Sequence, residues 1–374
     1  MKIKIFIVLA LFFPLSVMAE FKAKMQYGFS HIKPFSFSSY RNLIGNDQQI
    51  HALSGRLMYS KDWGSLSFST HYEALAITSE DLIFFESDAD SKRLFNLDQT
   101  LESSDKSSLY HRVDRLSLSY TQDKTVVKLG RQALSWGNGF VFQPTDIVNP
   151  FSPIAVDKEY KTGDDMLFFE QLLPSGSDIN FVLVPRRKNG AVEEGESTYA
   201  LKYRTTIHDS DVSFAGAKDY EERLFFVSIS SGILDTVSRI DVITNTESLK
   251  FDQWALVANG DYSWIWFNKN FYGFAEYYYQ DGRVLKQGGF VFEDKEYWAI
   301  GLRAELHPFV NVSPTFMGNF NDGSSLTTLG INFDWKSWMN LSLTANLPYG
   351  GEGTEFGGEA AIGETVTLLV NAYF

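Results

Sequence analysis

Six histidines are the side chains best suited to acid–base or metal chemistry in this chain: His31, His51, His71, His111, His208 and His307. No two of them stand at the His-Glu-x-x-His spacing that brings two imidazoles to one metal. No Gly-x-Ser-x-Gly turn presents a serine nucleophile. Cysteine is absent, which removes thiolate metal sites and disulfides together. The run Gly350-Gly351-Glu352-Gly353 has no helical pattern after it, so it is no phosphate cradle. His71 shares a strand face with Glu73, yet catalysis needs convergent groups and the spacing assembles none. The sequence therefore predicts no reaction, no cofactor and no metal. A net charge of −13 speaks against nucleic acid as a partner, which would need a basic footprint.

The chemistry that remains is electrostatic, and it is carried by charges at alternate positions. Arg115, Ser117 and Ser119 alternate with Leu116, Leu118 and Tyr120. Thr198, Lys202 and Arg204 share one face while Tyr199, Leu201 and Tyr203 share the other. Ser342, Thr344 and Asn346 alternate with Leu341, Leu343, Ala345 and Leu347. Period two is the signature of a strand with one apolar and one polar face, and about 18 such segments follow one another. Short turns near Lys61-Asp62, Gln122-Asp123, Ser175-Gly176, His208-Asp209, Asn268-Lys269 and Lys336-Ser337 alternate with longer links at 31–48, 78–109, 132–163, 187–196 and 281–293.

That rhythm predicts an all-β protein: a transmembrane antiparallel β-barrel of about 16–18 strands in a bacterial outer membrane, tight turns at one rim and long loops at the other. No stretch approaches the roughly 18 consecutive apolar residues of a membrane helix. Aromatic residues make up 16% of the chain, and clusters such as Tyr262, Trp264, Trp266 and Phe267 suit the interfacial girdle of a barrel. Lys2 and Lys4 lie in an apolar run to Leu15, with Val17 and Ala19 before Glu20. Residues 1–19 are accordingly expected to be a secretory leader and 20–374 the barrel. Val366, Leu368, Val370, Ala372 and Phe374 alternate up to the last residue, which resembles the C-terminal signature of outer-membrane proteins. A closing strand must pair with the first, because an open edge cannot exist in lipid.

The link at 132–163 differs from the others. Pro144, Pro150 and Pro153 exclude plain strand, and its aromatics with Ile147, Val148 and Ile154 would be costly on a free hairpin tip. It is expected to fold inward as the third extracellular loop and to narrow the bore, with Arg131, Trp136, Asn138, Asp146 and Asp157 as the candidate constriction. The alternative is a plug that serves stability. The runs Gly130-Arg131-Gln132, Trp136-Gly137-Asn138-Gly139, Asn149-Pro150-Phe151-Ser152-Pro153 and Lys161-Thr162-Gly163-Asp164-Asp165 resemble porin-like outer-membrane families, including alginate-export-like and related uncharacterised barrels. The resemblance covers only this part of the chain; it implies a channel and names no solute.

If the apolar face of each strand meets lipid, Lys22, Lys24, Arg56, Arg115, Lys128, Arg186, Lys202, Arg204, Arg239 and Arg303 point inward. The inward acids are Glu73, Glu170, Asp241, Glu276 and Glu305, while Glu80, Asp81, Glu86, Asp88, Asp90, Glu193, Glu194 and Glu196 fall in links. Arg115, Lys202, Arg204 and Arg303 are the candidate wall charges. Such a lining either favours anionic or polar solutes or merely pairs across strands. The expected role is passive diffusion of small hydrophilic or anionic solutes. The alternative is a non-conducting barrel serving an export or lipid-trafficking system. Expected partners are outer-membrane lipid, small hydrophilic solutes, and a second copy of the chain or periplasmic transport components.

Overall fold

The alternation closes into a ring. In the computed structural model, residues 19–374 are described apart from 40, 42–44, 46, 81–89, 154, 246–252, 284, 288–289 and 359–360. Residues 1–18 of the expected leader, and Asp81, Glu86, Asp88 and Ile154, therefore lie outside the described residues. Eighteen antiparallel strands form the wall. The first six are β1 (Ala19–Lys33), β2 (Gln48–Trp63), β3 (Leu66–Ser79), β4 (Ser107–Gln122), β5 (Thr125–Gln132) and β6 (Asp164–Leu172). Then come β7 (Asp178–Val184), β8 (Thr198–Ile207), β9 (Ser210–Asp219), β10 (Glu222–Ile233), β11 (Thr236–Asn245) and β12 (Trp254–Trp266). The last are β13 (Lys269–Asp281), β14 (Glu296–His307), β15 (Val310–Asn319), β16 (Ser325–Lys336), β17 (Met339–Tyr349) and β18 (Glu364–Tyr373). Each strand pairs with its neighbours in sequence, and β18 pairs with β1 to close the ring. Phe374 joins this seam through two backbone hydrogen bonds to Ala23 of 2.8 and 2.9 Å.

Ala19 at the start of β1 and Phe374 both lie at the rim of short turns. Phe267 and Asn268 both have positive φ, 46° and 56°, as a two-residue hairpin turn of matching twist requires. The turn thus sits one residue earlier than the pattern suggested. The outer face is apolar: Leu129, Ile233 and Ile300 are 61%, 55% and 51% exposed. Their alternate neighbours turn into the ring, as the buried Asp241 does beside the exposed Ile240.

β5 and β6 are short, with 8 and 9 residues against 16 in β4, because the chain leaves the wall between them. A strand at Asp98–Ser103 pairs with β4 above the end of β5, and Arg93 bridges to Arg186 beyond β7. These segments complete the wall. At Gly130 the backbone turns to a φ of 115° and passes so close to the Leu116 carbonyl that no Cβ fits. A bulge in β4 sets Asp114 as an extra residue, since Tyr72 pairs with Val113 while His71 pairs with Arg115. Asp114 and Arg115 consequently reach the same cluster although they are consecutive.

The inner face is not polar all round. Phe168, Val182, Phe226, Ile243, Val257 and Met317 belong to one buried apolar cluster with Trp136, Val141, Phe142 and Val148 of 133–163. This part of the ring is packed by the segment rather than open.

Candidate functional site

The segment 133–163 meets the inner face at two places built differently. In the first, Glu276 of β13 is 4% exposed and accepts hydrogen bonds from the backbone amides of Phe140, Val141 and Phe142 at 2.6, 2.9 and 2.8 Å. A carboxylate held by three amides satisfies donors that would otherwise be buried unpaired. The chain wraps this tightly because residue 139 is glycine, where a Cβ would collide with the Phe142 carbonyl. Asp241 of β11 accepts from the Asn138 amide, the Asn138 side chain and the Thr145 hydroxyl at 2.9, 2.8 and 2.8 Å. Asn259 of β12, between them, donates to the Asn138 carbonyl and to Glu276, both at 3.1 Å. Phe140 stacks on Phe274 at 4.5 Å and Phe142 on Tyr278 at 5.1 Å.

The second place is ionic. The Lys24 ammonium of β1 is 3.1 Å from Asp157 and 2.7 Å from Glu159. Gln26 donates to Asp157 at 2.8 Å, and the Tyr373 hydroxyl of β18 donates to Glu159 at 3.1 Å. The Tyr160 ring lies over the Arg56 guanidinium at 4.6 Å. Behind it, Arg56 pairs with Glu73 at 3.1 Å and with Asp114 at 2.8 Å. Arg112 pairs with Glu73 at 2.6 Å, and Arg115 with Asp114 at 3.1 Å. Four cations thus face four carboxylates across a small space. That space is a cavity of about 300 Å³ whose lining includes Lys24, Arg56, Glu73 and Arg112 of the wall and Phe151, Asp157, Tyr160 and Thr162 of the segment. Phe151 and Thr162 also line a 910 Å³ cavity toward the long-loop rim. Ser152 is common to that cavity and to a 1050 Å³ cavity bordered by Glu293, Asp294, Asp322, Glu352 and Glu355.

No family model matches the chain, and no curated protein matches it. Solved structures do match along nearly its whole length. Acinetobacter baumannii OccAB4 superposes with a TM-score of 0.60 at 13% identity, covering 96% of this chain and 99% of its own. Pseudomonas aeruginosa OccK9 (OpdG) gives 0.58 at 9% identity, covering 95% and 98%. A BenF-like porin from Pseudomonas fluorescens Pf-5 gives 0.59 at 9% identity, with the same coverage. The fold is that of an outer-membrane porin.

Within this porin fold the predicted constriction residues are scattered. Asp157 lines the small cavity. Asn138 anchors the segment on Asp241, and Trp136 is buried with its ring near Phe226. Asp146 pairs with Lys161 at 2.6 Å inside the segment and borders the 910 Å³ cavity. Arg131 is 1% exposed, buried within the wall. It holds Asp165 at 2.9 Å, Asp90 at 2.7 Å and the Phe95 carbonyl at 2.8 Å, tying β5 and β6 to the segment that completes the wall.

The wall charges divide similarly. Arg115 braces the Lys161 carbonyl and Asp114. Arg204 pairs with Asp178 at 2.7 Å. Lys202 sits over the Trp136 ring at 5.5 Å, and Arg303 borders a 690 Å³ cavity toward the short-turn rim. Among the described residues, Lys128, Lys202 and Arg303 have no acidic partner at ion-pair distance, while Lys24, Arg56, Arg186, Arg204 and Arg239 each have at least one. Of the cations expected to point inward, Arg56, Arg204 and Arg239 pair across strands, whereas Lys24 pairs with the segment. Strict alternation from Arg115 puts Arg112 on the outer face; the bulge at Asp114 reverses it, which is why sequence reading missed Arg112. Tyr160 carries no sequence signal that sets it apart from other loop tyrosines.

Proposed function

We propose that the protein is an outer-membrane channel for passive diffusion of small hydrophilic solutes, with 133–163 inside the ring as its constriction. The observation that carries this reading is the pair of cavities that share Phe151 and Thr162, the smaller of which lies between the segment and the β1–β4 wall. An apolar belt around a closed ring fits lipid, with the long loops outside the cell and the short turns in the periplasm. Passage needs no reaction, and preference comes from width and lining charge.

The balanced charges at the narrow cavity argue for weak ion selectivity there. The unpaired Lys128, Lys202 and Arg303 supply a modest bias toward anions. Planar-bilayer recording of the purified protein tests this. Conductance with a small reversal potential in a salt gradient is expected, moving toward cation preference in K128Q/K202Q/R303Q. Absence of conductance, together with no swelling of solute-loaded liposomes, would favour the non-conducting partner of an export or lipid-trafficking system.

A further inference from the structure

The two attachments of 133–163 differ in kind. Residues 138–145 donate backbone amides to buried carboxylates and lie against the apolar cluster. Residues 155–161 touch the β1–β18 seam through side chains instead. Their bonds to the seam come from Lys24, Gln26 and Tyr373, and the acceptors Asp157 and Glu159 are 35% and 38% exposed. The Glu159 amide bonds Asp157 within the segment at 2.9 Å rather than the wall. The near end of this limb is fixed, since Lys161 bonds Asp146 and Ser135, and Gly163 bonds Asp114.

A buried amide–carboxylate cradle is insensitive to salt, whereas partly exposed ion pairs are screened by it. Lys24 itself is 5% exposed, so it is the covered half of the contact and the limb is the half that can leave. Moving the limb away would enlarge the 300 Å³ cavity on the side that Asp157 and Tyr160 now close.

We propose that 155–161 is a gate, that Lys24 is its latch, and that the Asp241–Asn259–Glu276 row is the fixed support against which it moves. Resting on the channel reading above, this makes Lys24, Asp157 and Glu159 positioning residues for passage. Their charges set how often the narrow cavity is open, and not only which ion prefers it.

The test uses the full barrel in planar bilayers and in detergent. Conductance divided by bulk conductivity should rise in the wild type as salt goes from about 0.1 to 1 M, because screening releases the latch. A rigid charged pore gives a flat or falling ratio. In D157N/E159Q and in K24M the low-salt ratio should already be raised, by up to about fivefold for pairs of ordinary exposed strength, and should no longer depend on salt. Hydrogen exchange supplies the structural readout. Amides at 155–161 should exchange faster in D157N/E159Q, while those at 140–142 stay protected. Linking K24C to E159C with a short bifunctional maleimide should restore the low ratio, and the chain has no other cysteine to interfere. Equal ratios at every salt concentration in wild type and D157N/E159Q, with unchanged exchange at 155–161, would overturn the gate. Faster exchange in the variant with no conductance in either protein would uphold the latch and overturn the channel reading instead.

Discussion

A single guanidinium holds the wall where two strands stop short. Arg131 meets Asp165, Asp90 and two carbonyls at almost no exposure. Removing it would leave Asp165 without its cation in a dry place while Asp90 keeps Arg93, and breaking a buried pair costs about 3–5 kcal/mol. R131A should therefore lower the temperature at which the folded band is lost on semi-native gels; an unchanged transition would refute this role. Gly139 decides a different matter. G139A drives a methyl into the Phe142 carbonyl and should loosen the cradle around Glu276 without unfolding the wall. Faster hydrogen exchange at 140–142, at unchanged barrel stability, is the expected result. The identity of Arg131 as a special residue was legible in the sequence, but its task was not, because its partners come from three other segments.

Among elements, the loop between β17 and β18 carries its own pH dependence. Glu355 accepts from the Tyr297 hydroxyl at 2.6 Å and from Asn319 at 3.0 Å, while its other oxygen is buried without a partner. Burial, with the charges of Asp294 and Asp322 added to it, pushes this carboxyl from 4.5 up to about 7. The folded loop therefore binds a proton that the unfolded chain has already lost. Stability that depends on this proton is present below about pH 4.5 and declines as the pH rises through about 7. Exchange at 350–358, corrected for intrinsic rate, should be faster at alkaline than at mildly acidic pH. E355Q should abolish the difference; a variant that keeps it would place the titration elsewhere. At this scale the strands were legible and the loop contacts were not. Alternation is local, but Glu355 meets Asn319 only once two hairpins stand side by side.

For the whole molecule, closure and the apolar belt are one property. A lysine on the belt at Ile300 sits among lipid, and such a charge costs about 2–4 kcal/mol near the bilayer midplane. I300K should reduce folding into bilayers by that amount in denaturant titrations, whereas a soluble barrel would be indifferent. Likewise the purified barrel should need detergent to remain monodisperse.

The residue pattern by itself pointed to a ring of about 16–18 strands with one apolar face, and it marked 132–163 as a segment that must pack on something. Periodicity and proline are local, so no tertiary knowledge was needed for either. Only the folded ring decided which charges meet. One extra residue at Asp114 exchanges inner and outer faces along β4, and Lys24 finds Asp157 across 133 positions of chain. Such pairings depend on register and closure, which the sum of local preferences does not contain.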